Sequence, residues 1–406
     1  MKFTLTILMV LICSWSQAQY NFDILRGRRE IRIPFEVDNN FIVVELTLNK
    51  ILPLRFIFDT GAEHTILNKK ELADALGMRF ERQFKLVGAD LKSQLTAFLT
   101  RNVHVRVGDA IFPYMDMLVL QDDYLQIEEY TGTPIHGILG ADFFKRFVVK
   151  IDYQRQELTL QNYSNFRPPK KFEEFPVQLH RHKPYIYTDV QLLPGSPPIP
   201  VKLLLDTGAS LALMIHTETS PSLKRPENVI TGKVGMGIGG IIEGFIGRMQ
   251  SCCVGPTCFS NVITNFQTLN PQQDTSFLNG RNGLMGSILL QRFVIYIDYV
   301  GGRLFLRPGK RAQRRFRFDR SGLGIIASGE KLDEFIVQQV LNGSPSAESG
   351  VQVGDKILRI NGLPARMITL PGIVRRLQKK RSKKIKLTIE REGQIHKLQF
   401  RLRDLI

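Results

Sequence analysis

Cysteine is scarce in this chain. Four occur in 406 residues, at positions 13, 252, 253 and 258, and no two form a C-x-x-C pair. Structural zinc sites are usually built on such pairs, so no metal is expected. Long apolar runs are scarce too. Beyond the first twenty residues none approaches the ~20 residues a bilayer-crossing helix needs. Acidic residues are in the minority, 38 against 55 basic ones, for a net charge of +17. The excess is uneven: the stretch from Gly309 to Ile406 carries 22 basic and 9 acidic residues, a net of +13, and the rest carries +4. A composition of 43% hydrophobic and 23% charged residues is globular. The length suits two or three domains.

The one apolar run present, Phe3 to Cys13, follows Lys2 and precedes Ser16-Gln17-Ala18. A basic start, a short apolar core and a small-x-small site describe a secretory signal peptide. Residues 1–18 are therefore expected to be a leader, and the mature chain to be periplasmic or extracellular. Nucleic acid is then not an expected partner. The basic terminal stretch suits peripheral contact with an anionic membrane surface, or is a solvated face.

What the chain does have is a repeat. Phe56-Ile57-Phe58-Asp59-Thr60-Gly61-Ala62 returns as Leu203-Leu204-Leu205-Asp206-Thr207-Gly208-Ala209, with the aspartates 147 residues apart. Val107-Gly108 returns as Val254-Gly255, and Gly137-Ile138-Leu139-Gly140 as Gly283-Leu284-Met285-Gly286. Arg146-Phe147-Val148 through Asp152-Tyr153 returns as Arg292-Phe293-Val294 through Asp298-Tyr299. Four blocks in one order define two copies. Both are rich in short alternating apolar runs with glycine turns, such as Phe41–Leu48 and Tyr185–Leu193. Lys69–Leu76 reads as a short amphipathic helix. Two β-lobes are expected, at 19–165 and 166–308, joined through a linker over Asn162–Pro176, with a further domain at 309–406.

Two copies packed about a pseudo-twofold axis bring Asp59 and Asp206 together. Touching carboxyls share one proton and titrate as a pair. The ionised member can take a proton from water while the other donates to a carbonyl oxygen, which is general acid–base hydrolysis. Gly61 and Gly208 allow a tight turn, and Thr60 and Thr207 offer hydroxyls across the lobe junction. The pattern resembles the aspartic peptidases. Alanine after each D-T-G, at Ala62 and Ala209, makes it similar to the retropepsin-like members, with both subunits in one chain. This resemblance implies protein or peptide substrates, no cofactor, and a segment behind each aspartate loop (Ile138-Leu139-Gly140 and Leu284-Met285-Gly286). It also implies two flaps, one near Gly88 and one at Gly237-Ile238-Gly239-Gly240. Alanine donates no side-chain hydrogen bond to the carboxylates, so a pH optimum less acidic than that of pepsin-like enzymes is expected.

If Gly255-Pro256 is a hairpin tip, Cys253 and Cys258 face each other within disulfide reach, with Cys252 on the other face. Two free thiols are the alternative. From Ser321 onward, Gly322-Leu323-Gly324-Ile325, Gly343-Ser344-Pro345-Ser346-Ala347 and Gly354-Asp355-Lys356-Ile357-Leu358 resemble a PDZ domain. That resemblance implies a loop at 322–325 that offers N–H groups to a peptide's terminal carboxylate, strand addition beside it, and a helix over Leu370–Lys380. The competing functional class is a non-hydrolysing peptide-binding protein.

Overall fold

The computed structural model describes residues 25, 27–87, 94–237, 240–269, 276–310 and 312–406. The expected leader and the flap residues Gly88, Ile238 and Gly239 lie outside them. The fold is mainly β, with barrel-like sheets and few helices.

Each repeat folds into an eight-stranded sheet with the same strand order. In lobe 1 the order is 36–38, 41–48, 52–58, 137–139, 66–67, 110–120, 94–107 and 80–87. In lobe 2 it is 178–180, 183–191, 199–206, 283–286, 213–216, 257–267, 240–254 and 229–237. A further pairing of the second strand with the long seventh one curls each sheet toward a barrel. The strands before each aspartate read as near-continuous apolar runs because both faces are covered. Phe56 and Phe58 are fully buried, and so are Phe143 and Phe144 behind them. Burying a phenylalanine contributes roughly 1.5–3 kcal/mol. The expected helix forms at Lys70–Ala75.

A six-stranded sheet joins the lobes, with three strands from each: 30–34, 157–162, 147–152, then 293–298, 303–308 and 173–176. At its centre Phe147–Asp152 pairs antiparallel with Phe293–Asp298, Val148 opposite Asp298, Lys150 opposite Tyr296 and Asp152 opposite Val294. Lys150 and Tyr296 are repeat equivalents, so the pseudo-twofold axis passes through this pair. The segment read as a linker is therefore structured at its end, where Glu173–Pro176 is an edge strand of the shared sheet.

The hairpin Gly240–Val254/Thr257–Gln267 places Cys253 opposite Cys258, and their sulfurs are bonded. Cys252 is buried on the other face, and burial pushes its thiol up to about 12.

The terminal domain has its own core and a sheet ordered 323–328, 334–340, 356–360, 384–391 and 394–401. The helix beside it runs Leu370–Leu377 and is capped by Thr369 Oγ1, which accepts from Gly372 N at 3.3 Å. Arg375, Lys379 and Lys380 are exposed. The segment that leads in belongs to lobe 2, not to this core. Ala312 and Phe316 pack in the lobe core, and Arg292 stacks 3.7 Å from the Phe316 ring and donates to Arg314 O at 2.6 Å.

Candidate active site

Each aspartate sits at the end of a buried strand that runs parallel to the repeat's later apolar segment. Leu52–Phe58 pairs with Gly137–Leu139, and Asp59 N donates to Leu139 O at 3.0 Å. Ile199–Asp206 pairs with Gly283–Gly286 in the same way. The expected support behind the loops is close. A β-carbon on Gly140 would lie 2.4 Å from His64 O, and one on Gly286 2.4 Å from Leu211 O.

The two loops meet across the axis through four hydrogen bonds. Thr60 Oγ1 donates to Leu205 O and Thr207 Oγ1 to Phe58 O, both at 2.7 Å. Each hydroxyl also accepts the other threonine's backbone N–H, at 3.0 and 3.1 Å. Both threonines are buried. These bonds hold Asp59 and Asp206 beside each other.

Both glycines lie in the expected turns, but the turn alone does not require glycine. Neither has a left-handed backbone. A β-carbon on Gly208 would lie 2.2 Å from Asp59 Cγ, and one on Gly61 2.6 Å from Asp206 Cγ. Each is glycine because the other lobe's carboxyl rests on its backbone. Gly61 N also donates to Asp59 Oδ1 at 2.7 Å.

Burial raises both carboxyl pKa values. Asp206 is raised further by the charge of Asp59 and by donating its proton to it. Asp59 is partly held down by backbone donors at Gly61, Ala62 and Gly208. Two carboxyls in contact, both raised by burial, hold one proton between them. Ala62 and Ala209, next in sequence, bring no hydroxyl to the carboxyls.

Several neighbours escaped the sequence reading. The two turns before each lobe's second strand, Asn39-Asn40 and Arg181-His182, both have left-handed backbones. Each reaches the residue after the opposite D-T-G-A: Asn40 Nδ2 donates to Ser210 Oγ at 3.2 Å, and Arg181 lies 3.6 Å from Glu63. Glu63 and Ser210 are therefore equivalent lobe-junction residues. Asp142 accepts from Thr65 N and Oγ1 at 2.8 and 2.6 Å, which pins the lobe 1 loop. The buried phenols Tyr153 and Tyr299 sit at equivalent places, each within the field of one aspartate. Only an alignment of the diverged first strands could have exposed the Arg181–Glu63 pair.

Of the residues expected to form the flaps, Gly237 and Gly240 close the hairpin Val229–Gly237/Gly240–Val254 as its last described pair. In lobe 1 the strands Phe80–Val87 and Gln94–Val107 form the equivalent hairpin. A cavity of ≈ 730 Å³ lined by Leu223, Arg225 and Phe245 lies on lobe 2, and neither aspartate lines it. Among the described residues no cluster of side chains could hold a metal.

In the terminal domain Gly322 has φ +84°, and a β-carbon there would meet Ser344 Cβ at 2.2 Å. The loop is narrower as an anion site than expected. Gly322 N donates to Asp319 at 2.5 Å and Leu323 N to Ser321 Oγ at 3.2 Å, so an incoming carboxylate competes with internal acceptors. Gly324 and Ile325 continue into the edge strand. Burial pushes Asp319 up to about 6, against its donors at Ser321 and Gly322. A carboxyl raised on folding stabilises most below its unfolded pKa and loses that contribution as pH rises through the folded one. Asp319→Asn should therefore lose less stability, relative to the wild type, at pH 7 than at pH 4. Urea unfolding at both pH values measures this, and an unchanged difference would contradict it.

Two β-lobes related by a pseudo-twofold axis, each presenting an aspartate to the other, followed by a small sheet-and-helix module, define a retropepsin-like domain with a PDZ domain. Comparison with known proteins agrees. The family model for aspartyl protease matches residues 44–143, and that for the PDZ domain matches residues 313–390. The chain thus carries an aspartyl protease domain of the retropepsin-like kind and a PDZ domain. It is 33% identical over 95 residues to a protein named probable CtpA-like serine protease from Staphylococcus saprophyticus subsp. saprophyticus. That match covers 23% of this chain and 19% of the relative, so the chain spans about a fifth of the relative's length.

Proposed function

We propose that this chain is an exported aspartic-type endopeptidase in which Asp59 and Asp206 activate one water. The observation that carries the reading is the reciprocal seating of each carboxyl on the other lobe's glycine. In this mechanism the water oxygen attacks the scissile carbonyl carbon. Asp59 takes the water's proton, and Asp206 gives its own to the carbonyl oxygen. As the tetrahedral diol collapses, the C–N bond breaks, Asp59 protonates the amine, and a diol proton returns to Asp206. Atoms and charges balance without a covalent intermediate or a cofactor. The flap hairpins cover the substrate, and the PDZ domain docks peptides or regulates access. Export rests on the sequence of residues 1–18 and fits the bonded Cys253 and Cys258, since disulfides persist in oxidising compartments. The basic terminal domain supports contact with an anionic surface.

The pH–rate profile tests the chemistry. Hydrolysis needs one proton on the pair. It falls on the alkaline side as Asp206 ionises and on the acid side as Asp59 protonates. Burial raises both groups, and Ala62 and Ala209 supply no hydroxyl to favour the charged form, so the maximum should be less acidic than that of pepsin-like enzymes. A peak near pH 2 would contradict this. Cleavage abolished by a serine-acylating reagent would instead favour the chemistry named for the relative.

A further inference from the structure

Leu323–Ser328 is the edge strand of the PDZ sheet, and with the helix Leu370–Leu377 it walls the groove where a peptide would add as a strand. An open edge of this kind invites pairing unless something covers it. Here the short lobe 1 helix Ile127–Thr131 packs against that strand. Its left-handed cap, Gly132, enters between the walls. A β-carbon on Gly132 would lie 2.8 Å from Cβ of Leu370, the first residue of the groove helix, and 3.7 Å from Cβ of Ala327 on the edge strand. Leu370 and Ala327 are both buried. Beside this contact, Gln338 Nε2 donates to Tyr130 Oη at 2.7 Å.

The same helix packs beside the lobe 1 aspartate loop. Ile127 is buried in one cluster with Ile57, Ile66 and Ile138, next to the aspartate loop. Tyr130 O accepts from Asn39 Nδ2 at 2.9 Å, and Asn39 O in turn accepts from Ser210 Oγ at 2.5 Å, beside the second loop. The PDZ domain also braces the lobe 2 flap hairpin, where Gly232 lies against Gln339 and Leu341.

We infer that the PDZ groove is an intrachain docking surface occupied by the lobe 1 segment 127–132, and that an extended peptide with a free terminal carboxylate binds there by displacing it. The inference rests on reading 322–325 as the head of a peptide groove, and it is independent of hydrolysis. Groove ligand and lobe 1 segment then compete for one strand edge. The apparent affinity for peptide is lowered by the fraction of molecules in which the segment stays docked.

The test uses the full chain with Asp206→Asn, so that the probe survives whatever the enzyme does. The probe is a fluorescein-labelled hexapeptide ending in valine, as the free acid and as the amide. Tyr130→Phe and Gln338→Ala each remove the same hydrogen bond, from opposite sides. Each should tighten binding of the acid about fivefold, the worth of one neutral hydrogen bond. The bound acid should also speed exchange of the amides at 127–132. Equal affinity in all three proteins with unchanged exchange would overturn the inference, as would no binding to any of them. An amide that binds as tightly as the acid would overturn the carboxylate requirement.

Discussion

Asp59→Asn and Asp206→Asn are each expected to reduce peptide hydrolysis by at least ~10²–10⁴-fold, the usual contribution of a positioned acid or base. Asparagine keeps the shape and removes the titration. With Asp59 replaced, nothing accepts the water's proton. With Asp206 replaced, a weakly acidic amide faces the carbonyl oxygen. The same substitutions should change stability in the opposite sense. Both carboxyls are raised on folding, chiefly by burial. Their stabilising contribution is complete below the unfolded pKa and declines as pH rises through the folded values. At pH 7 the wild type therefore carries a strained pair that either variant relieves. Each should melt higher than wild type at pH 7, by a margin that shrinks or reverses at pH 4, as expected where a site is kept for function at the expense of stability. Mass spectrometry of a mixed peptide library gives the rates and calorimetry the melting temperatures. Cleavage at the wild-type rate in either variant would remove the pair from the mechanism, whereas no cleavage by the wild type itself would leave the peptide-binding reading.

The repeat made the centre of this molecule legible. An interval of 147 residues between two D-T-G-A blocks is enough to pair the aspartates, because equal chains fold equally and twofold packing brings equivalents together. The strand order, identical in both lobes, follows from the same cause. Legibility failed where the copies diverge or where one residue answers a distant one. Glu63 has no twin in Ser210 by type, yet both contact the opposite turn. Asp142 has Ile288 as its counterpart, so its hold on Thr65 is private to lobe 1. The helix Ile127–Thr131 is too short to carry a periodic signal, and its partner lies nearly 200 residues later in the PDZ edge strand. The glycines of D-T-G were legible as glycines but not for their reason. The turn forms as the local reading has it, and the constraint that demands glycine there comes from the other lobe. The end of the repeat set the expected boundary at Gly309, whereas packing draws Ala312 and Phe316 into lobe 2.

That constraint leads to the second large effect. Gly208→Ala should all but abolish activity, and Gly61→Ala should follow closely, although both change one hydrogen into a methyl group. Contacts of 2.2 and 2.6 Å to a carboxyl carbon are far inside van der Waals distance, so something must move. Asp59 cannot retreat freely, because Gly61 N holds its carboxyl and Leu139 O holds its backbone. The loops cannot part without breaking the threonine bonds across the axis. Overpacking of this kind costs about 1–3 kcal/mol of stability. A displacement of about 1 Å in a reacting group costs on the order of 10²-fold in rate. The tighter contact ranks Gly208→Ala as the worse of the two. Gly77→Ala separates this cause from backbone strain. Gly77 has φ +63° and nothing within 4 Å of the added carbon. It should lose about 1–2 kcal/mol for the left-handed backbone and keep its activity. Urea unfolding and kcat/KM on one peptide substrate would rank the three. Wild-type activity in Gly208→Ala would mean that the two aspartates do not face each other in solution.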